Sequence, residues 1–307
     1  MRIAVVDIGT NSTRLLVCDV ENQRVTAEPE RRSTVTRLGA RVDAEGRLDE
    51  EAMERVFKAL EEYRVLIDRH DVGRSIAVLT SAVREAANGR EFAEQVEQRF
   101  GLTPYVLSGD EEARLTFLGA TSERDPDDRT PLAVIDIGGG STEIVVGRGR
   151  DASFHVSTRA GVVRQTERHL HEDPPADAEI ERTQEEVQGI LREGVPEVER
   201  DAVQHAIAVA GTATSLAAIA QRLEPYDPDK VHGYRLSREE ASKLLAYLAS
   251  IPLAERRRVP GLEPGRAPTI VAGAIILVEV MTLFGQSEVE VSEHDILRGA
   301  ALGLGTR

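Results

Sequence analysis

The sequence predicts an α/β protein of two domains, each built on a mixed β-sheet and related to the other by duplication. Three observations lead there. The chain has 307 residues, enough for two domains that each bury a core. IAVVDIGTNSTRLLV at 3–17 returns as LAVIDIGGGSTEIVV at 132–146. Eight of these fifteen positions are identical: Ala4/Ala133, Val5/Val134, Asp7/Asp136, Ile8/Ile137, Gly9/Gly138, Ser12/Ser141, Thr13/Thr142 and Val17/Val146. After each copy the pattern alternates between helical and strand periods, as a sheet with crossover helices requires.

In chain order, 2–8 and 13–20 read as strands joined by the turn GTNS, with a further extended stretch near 25–36. Residues 50–70 carry Met53, Val56, Phe57, Leu60 and Val65 at helical spacing. SIAVLT (75–80) is a buried strand, 90–100 a helix, and 103–109 a strand entering helix 110–122. SERDPDDRTP, rich in Asp and Pro, marks the boundary between halves. The second half repeats strand, turn and strand, then adds an extended stretch near 151–159 and helices. HLHEDPPADAE is a loop, AIAVAG (206–211) a strand, and GTATSLAAIAQRL the start of a helix. The apolar run at 268–285 has too little polar face for a surface helix, so it is buried in the second domain or at a homodimer interface. A last helix, 295–304, can pack back onto the first domain. The domains are therefore 1–122 plus a C-terminal helix at about 293–307, and 123–292.

With 41% hydrophobic and 30% charged residues, the composition is that of a folded globular chain. No apolar run approaches the roughly 20 residues that span a bilayer, and the N-terminus enters a strand without a signal-peptide pattern. The single cysteine, Cys18, reads as a small apolar strand residue and fits a reducing compartment, so a cytoplasmic location is expected. A net charge of −15 argues against general binding to nucleic acid or anionic membrane. It leaves room for a polyanionic substrate at a local site furnished with metal ions or arginines.

The repeated turn has a chemical use. Glycine lets the backbone approach a ligand and turn successive N–H groups toward an anion, and Ser and Thr hydroxyls add donors. An aspartate closing the strand can hold a divalent ion. Two facing copies would clasp a phosphate chain and its magnesium. A single hairpin would need its glycine only for the turn; the matched pair makes the functional reading the stronger one. The copies differ at Arg14 and its counterpart Glu143. Arg14 suits bidentate phosphate binding and Glu143 could join Asp136 near a metal, or both lie on a solvated face.

In AVAGTATS, Gly211 and Thr212 sit at a strand-to-helix junction, which is either an anion site or a simple cap. In SGDEEARLTF, Ser108 and Glu111 match a capping box. Glu112 follows in the first turn, where it either favours the helix dipole or serves as a base toward water. None of the three lysines, Lys58, Lys230 and Lys243, follows a glycine, so a Walker A loop is absent. His169 and His171 are two apart with no Cys partner, which speaks against zinc.

DIGTNSTRLL, TSAVREAANG, SGDEEARLTFLGA, VIDIGGGSTEIVVG and AVAGTATSLAA occur in an order that resembles the exopolyphosphatase and guanosine pentaphosphate phosphatase family. That family belongs to the actin, Hsp70 and sugar-kinase superfamily of duplicated ribonuclease-H-like domains with a cleft between them. The resemblance spans essentially the whole chain, in the short form without the family's C-terminal helical region. It implies a Mg2+-dependent hydrolase acting on inorganic polyphosphate or guanosine pentaphosphate. Glu112 would be the catalytic base, Asp136 and Glu143 catalytic carboxylates, and Asp7, Asp136 and Glu143 the ligands of Mg2+ or another divalent cation. Arg14 and Arg84 look like the family's phosphate-gripping arginines. Gly9, Thr10, Asn11 and Ser12 match the first phosphate loop, Gly138, Gly139, Gly140 and Ser141 the second, and Gly211 with Thr212 the third glycine motif. Arg266 falls in a matching place within PGLEPGRAPTI. The final helix departs from the pattern: Arg298 matches, but glycine follows it where the family often has glutamate. Rival readings are a nucleotide-dependent switch, against which SGDEEARL argues, and a sugar or acetate kinase, for which no acceptor pocket is identifiable.

Overall fold

The computed structural model describes residues 1–125 and 127–304; Pro126 of the predicted boundary loop and residues 305–307 of the predicted C-terminal segment lie outside them. The chain forms two compact units, one of Met1–Arg124 joined by the segment from His294, the other of Asp125–Glu293.

In the first unit β1 (Arg2–Ile8), β2 (Ser12–Glu21) and β3 (Arg24–Val35) form an antiparallel meander. Helices α1 (Val42–Glu45) and α2 (Glu50–Arg69) lead to β4 (Arg74–Leu79). Helices α3 (Ser81–Glu85) and α4 (Gly89–Phe100) lead to β5 (Thr103–Val106), followed by α5 (Gly109–Ala120). Strand order is β3-β2-β1-β4-β5, with β4 parallel to both β1 and β5. The central strands are apolar on both faces because both are covered. Ala4, Val6 and Ile8 pack with α2 and α4, whereas Ile3 and Val5 pack with the C-terminal helix α14 (Ile296–Gly303). Helix α2 begins where Asp49 accepts a hydrogen bond from the Ala52 N–H, with Glu50 and Glu51 in the positive first turn.

The second unit repeats the scheme. Strands β6 (Leu132–Ile137), β7 (Thr142–Arg148) and β8 (Asp151–Thr158) form the meander; α6 (Val162–His169), α7 (Asp177–Gly194) and α8 (Glu197–Ala202) lead to β9 (His205–Val209). Then come α9 (Ala210–Ala220), α10 (Pro228–Val231), β10 (Tyr234–Ser237), α11 (Arg238–Ser250), α12 (Leu253–Arg256), α13 (Ile270–Leu283) and β11 (Glu288–Val291). Strand order is β10-β11-β9-β6-β7-β8, with β9 parallel to β6 and β11. Both sheets thus place an antiparallel meander beside parallel strands reached through helices, the duplicated ribonuclease-H-like arrangement. Strands β10 and β11 go beyond the sequence reading, since four residues each are too few to set a period.

The apolar run resolves simply. Helix α13 packs against α6, α7, α9 and α11 of its own unit, so its apolarity needs no second chain. Among the described residues no helix is long and apolar enough to cross a membrane. Cys18 is fully buried in β2, and burial pushes its thiol up to about 12. It is protonated at pH 8, so iodoacetamide is expected to leave the native protein unmodified and to react once denaturant exposes the strand; mass spectrometry distinguishes the two.

Candidate functional site

The two repeated turns are built alike. In each, the glycine N–H closes on the serine carbonyl: Gly9 to Ser12 at 3.0 Å and Gly138 to Ser141 at 2.9 Å. Carbonyls of each turn are then claimed by a later segment. Thr36 and Arg37 donate to the Asn11 carbonyl at 3.0 and 2.9 Å, and Gly39 donates to Thr10 at 2.8 Å. In the second unit Val162 donates to Gly138 at 3.0 Å, Val163 to Gly139 at 2.8 Å, and Arg164 Nε to the Gly140 carbonyl at 2.9 Å. The amides are left over. Among the described residues, the N–H groups of Thr10, Asn11, Gly139, Gly140 and Ser141 have no protein acceptor. Thr10, Asn11 and Ser141 are buried residues, where an unclaimed N–H is costly unless an anion or water takes it.

Identical register then carries different charges. Asp7 lies directly across from Arg14, and Asp136 directly across from Glu143. In the first unit this gives an ion pair: Arg14 Nε and Nη2 both donate to Asp7 Oδ2, at 2.9 and 2.5 Å. Arg14 Nη1 donates to Asp295, the N-cap of α14. Asp7 is 3% exposed, and its Oδ1 is buried without a hydrogen-bond partner. Burial raises the Asp7 carboxyl above its usual range, partly opposed by Arg14. Burial also acts to raise Asp295, but Arg14, Arg31 and the Leu297 N–H outweigh it and hold that carboxyl low. In the second unit two buried carboxylates stand opposite each other, and Ser157 Oγ donates to Glu143 Oε1 at 2.7 Å. Like charges so placed are unfavourable. A lone carboxylate oxygen at Asp7 and an acidic pair at Asp136 and Glu143 are the hard oxygen donors that a divalent cation such as Mg2+ prefers.

Glu112 enters the first turn of α5 through the capping box of Ser108 and Glu111 that the sequence indicates. It is 7% exposed, and Arg84 Nη1 donates to its Oε2 at 3.0 Å and to the Leu107 carbonyl at 2.6 Å. Arg84 and Arg14, both read from sequence as phosphate ligands, therefore hold carboxylates here. At the third motif, Ala210 takes a positive φ of 63° and α9 begins. Gly211 leaves room for the Arg266 guanidinium: a Cβ there would lie 1.7 Å from Arg266 Nη1. Thr212 packs beside Gly273, whose Cβ would come within 2.7 Å of the Thr212 methyl.

Several contributors escape the sequence reading. Asp295 is legible as a helix N-cap, but not as the partner of a residue 281 positions earlier. Ser81 bonds the Thr10 hydroxyl at 2.8 Å. Gly161 is pressed on the second turn so closely that a Cβ would lie 2.2 Å from the Gly140 carbonyl carbon. Glycine at the final-helix departure has a packing consequence in this chain. A Cβ on Gly299 would lie 1.7 Å from the Leu115 carbonyl oxygen, so α14 reaches α5 only because that position is glycine.

Comparison with known proteins identifies a family. The model of the Ppx/GppA phosphatase family matches residues 16–300. The chain is 36% identical over 315 residues to Exopolyphosphatase 2 of Mycobacterium tuberculosis, covering 99% of this chain and 98% of that protein. The crystal structure of an exopolyphosphatase-like protein superposes with a TM-score of 0.93 at 35% identity, covering 100% of this chain and 99% of that one. A Ppx/GppA family member from Aquifex aeolicus gives 0.81 at 33% identity, covering 100% and 98%.

Proposed function

Since this chain belongs to the Ppx/GppA phosphatase family, we propose that it is an exopolyphosphatase, releasing orthophosphate from the end of inorganic polyphosphate. The observation that carries the reading is the pair of matched turns whose carbonyls are tied back and whose amides are unclaimed. A chain of phosphates is a ligand with enough oxygens to occupy several such donors. The name and full-length match of the mycobacterial relative support it further.

In the proposed reaction Glu112 orients a water and takes its proton as the water oxygen bonds to the terminal phosphorus. The bridging P–O bond breaks, its electron pair stays with the shortened chain, and orthophosphate leaves. Arg84 fixes the Glu112 carboxylate through Oε2. The turn amides meet charge that grows on the phosphoryl oxygens in the transition state. Asp7 in the first unit, and Asp136 with Glu143 in the second, are the carboxylates that would bind Mg2+, which when bound supplies charge neutralisation at the transferred group.

Guanosine pentaphosphate offers the same terminal phosphoanhydride, so substrate choice is settled by rate. Phosphate release would be measured at matched terminal-phosphate concentration from short polyphosphate, long polyphosphate and guanosine pentaphosphate, each with and without Mg2+. Fast release from polyphosphate, abolished by chelation, is expected. Preference for the guanosine nucleotide would assign the chain to that substrate instead, and release from none would overturn the hydrolase reading.

A further inference from the structure

Asp7 and Arg14 alone would cancel each other's charge, which is a poor arrangement for a residue expected to attract a cation. The third member changes that. Asp295 is 2% exposed. Its Oδ1 accepts from the Leu297 N–H at 3.0 Å, and its Oδ2 accepts from Arg14 Nη1. Arg14 thus bridges two buried carboxylates, and these three side chains together carry a net charge of −1. Arg14 meets Asp7 only through Oδ2 in the bonds described above, while Oδ1 stays buried and without a hydrogen-bond partner. A buried carboxylate oxygen left in that state is costly unless a ligand completes it.

We propose that Asp295 is a positioning residue for Asp7. By drawing one arm of Arg14 to itself, it keeps the guanidinium from closing wholly over Asp7 and preserves one negative charge and one open oxygen for a divalent cation. This rests on the reading of Asp7 as a cation ligand. It assigns a role to the last helix of the chain, which supplies no residue to the repeated turns yet caps itself with the group that balances the first of them.

Asp295→Asn separates the charge from the cap. Asparagine is as good an N-cap as aspartate, so α14 keeps its first turn, but its amide nitrogen cannot accept from Arg14. Mn2+ binding to the metal-stripped protein would be followed by electron paramagnetic resonance without substrate, beside the Mg2+ dependence of phosphate release. The expected result is Mn2+ affinity at least about tenfold weaker, because a buried unit charge is lost from the guanidinium that Asp7 shares. Turnover at saturating Mg2+ should stay within about threefold of wild type, and the melting temperature close to it. Asp7→Asn should weaken Mn2+ binding too, and adding Asp295→Asn to it should weaken it little further, since both act on one site. If wild type binds Mn2+ and Asp295→Asn binds it equally well, the inference fails and Asp295 is a helix cap alone. If wild type binds no Mn2+, the cation reading of Asp7 fails and takes the inference with it. Should Asp295→Asn melt early, Asp295→Ser, which keeps a capping oxygen without the charge, decides between the same outcomes.

Discussion

Replacing Glu112 with alanine is expected to lower phosphate release at least about 100-fold while the protein stays folded, the loss typical of removing a general base. The fold should tolerate the change for a local reason. The cap of α5 depends on Ser108 and Glu111, not on Glu112. The Arg84 side chain left behind is 26% exposed, so water can take over part of its solvation. Glu112→Gln is the sharper form of the test, because it keeps the shape and an acceptor for Arg84 but cannot take a proton from water. Both variants should melt within a few degrees of wild type. A near-normal rate in either would remove Glu112 from the chemistry. A large drop in melting temperature would mean that the lost activity reports the fold.

Gly299→Ala is expected to be the most damaging single methyl group in the first unit. Helices α5 and α14 meet backbone to backbone: a Cβ on Gly299 would lie 1.7 Å from the Leu115 carbonyl oxygen, and one on Gly119 would lie 1.9 Å from the Asp295 carbonyl oxygen. No rotamer change can relieve a clash with main chain, so the helices must separate. Overpacking of this kind costs about 1–3 kcal/mol, and more where nothing can give. A loss of several degrees in melting temperature is expected. Activity should fall as well, by about 10- to 100-fold. Leu115 is on the same helix as Glu112, so the displacement reaches the proposed base. Gly303→Ala is the control. Its Cβ would meet the Leu115 Cδ2 methyl at 2.9 Å, the end of a side chain that can turn away. It should cost little in stability or rate. Equal effects of the two substitutions would show that the glycine contact is not what holds these helices together.

The degree to which the site was legible varies residue by residue. The turns were legible because a turn with unclaimed amides is a local object: Asp, glycine and small hydroxyl residues in adjacent positions dictate it, and duplication displays it twice. Glu112 was legible in place, one residue past a capping box, though not in partner. Arg14 and Arg84 show the limit. An arginine's type says that it seeks an anion, and only the packing decides that carboxylates meet both of them here. Strands β10 and β11 were missed for a related reason, since short strands are stabilised by their neighbours in the sheet rather than by their own pattern.

By itself, then, the sequence determined what depends on neighbours along the chain. The repeated strand, turn and strand, the amphipathic helix 50–70, the capping box at Ser108 and the types of residue at each turn all follow from adjacent positions. Tertiary structure alone decided what depends on residues far apart. Arg14 and Asp295 are separated by 281 positions, and Gly299 lies against Leu115. A side chain's charge and size are encoded locally, but its partner is chosen by the sheet order and helix packing that bring distant segments within reach. For this protein, the charge at Asp7 and the seating of the Glu112 helix are both decided in that second way.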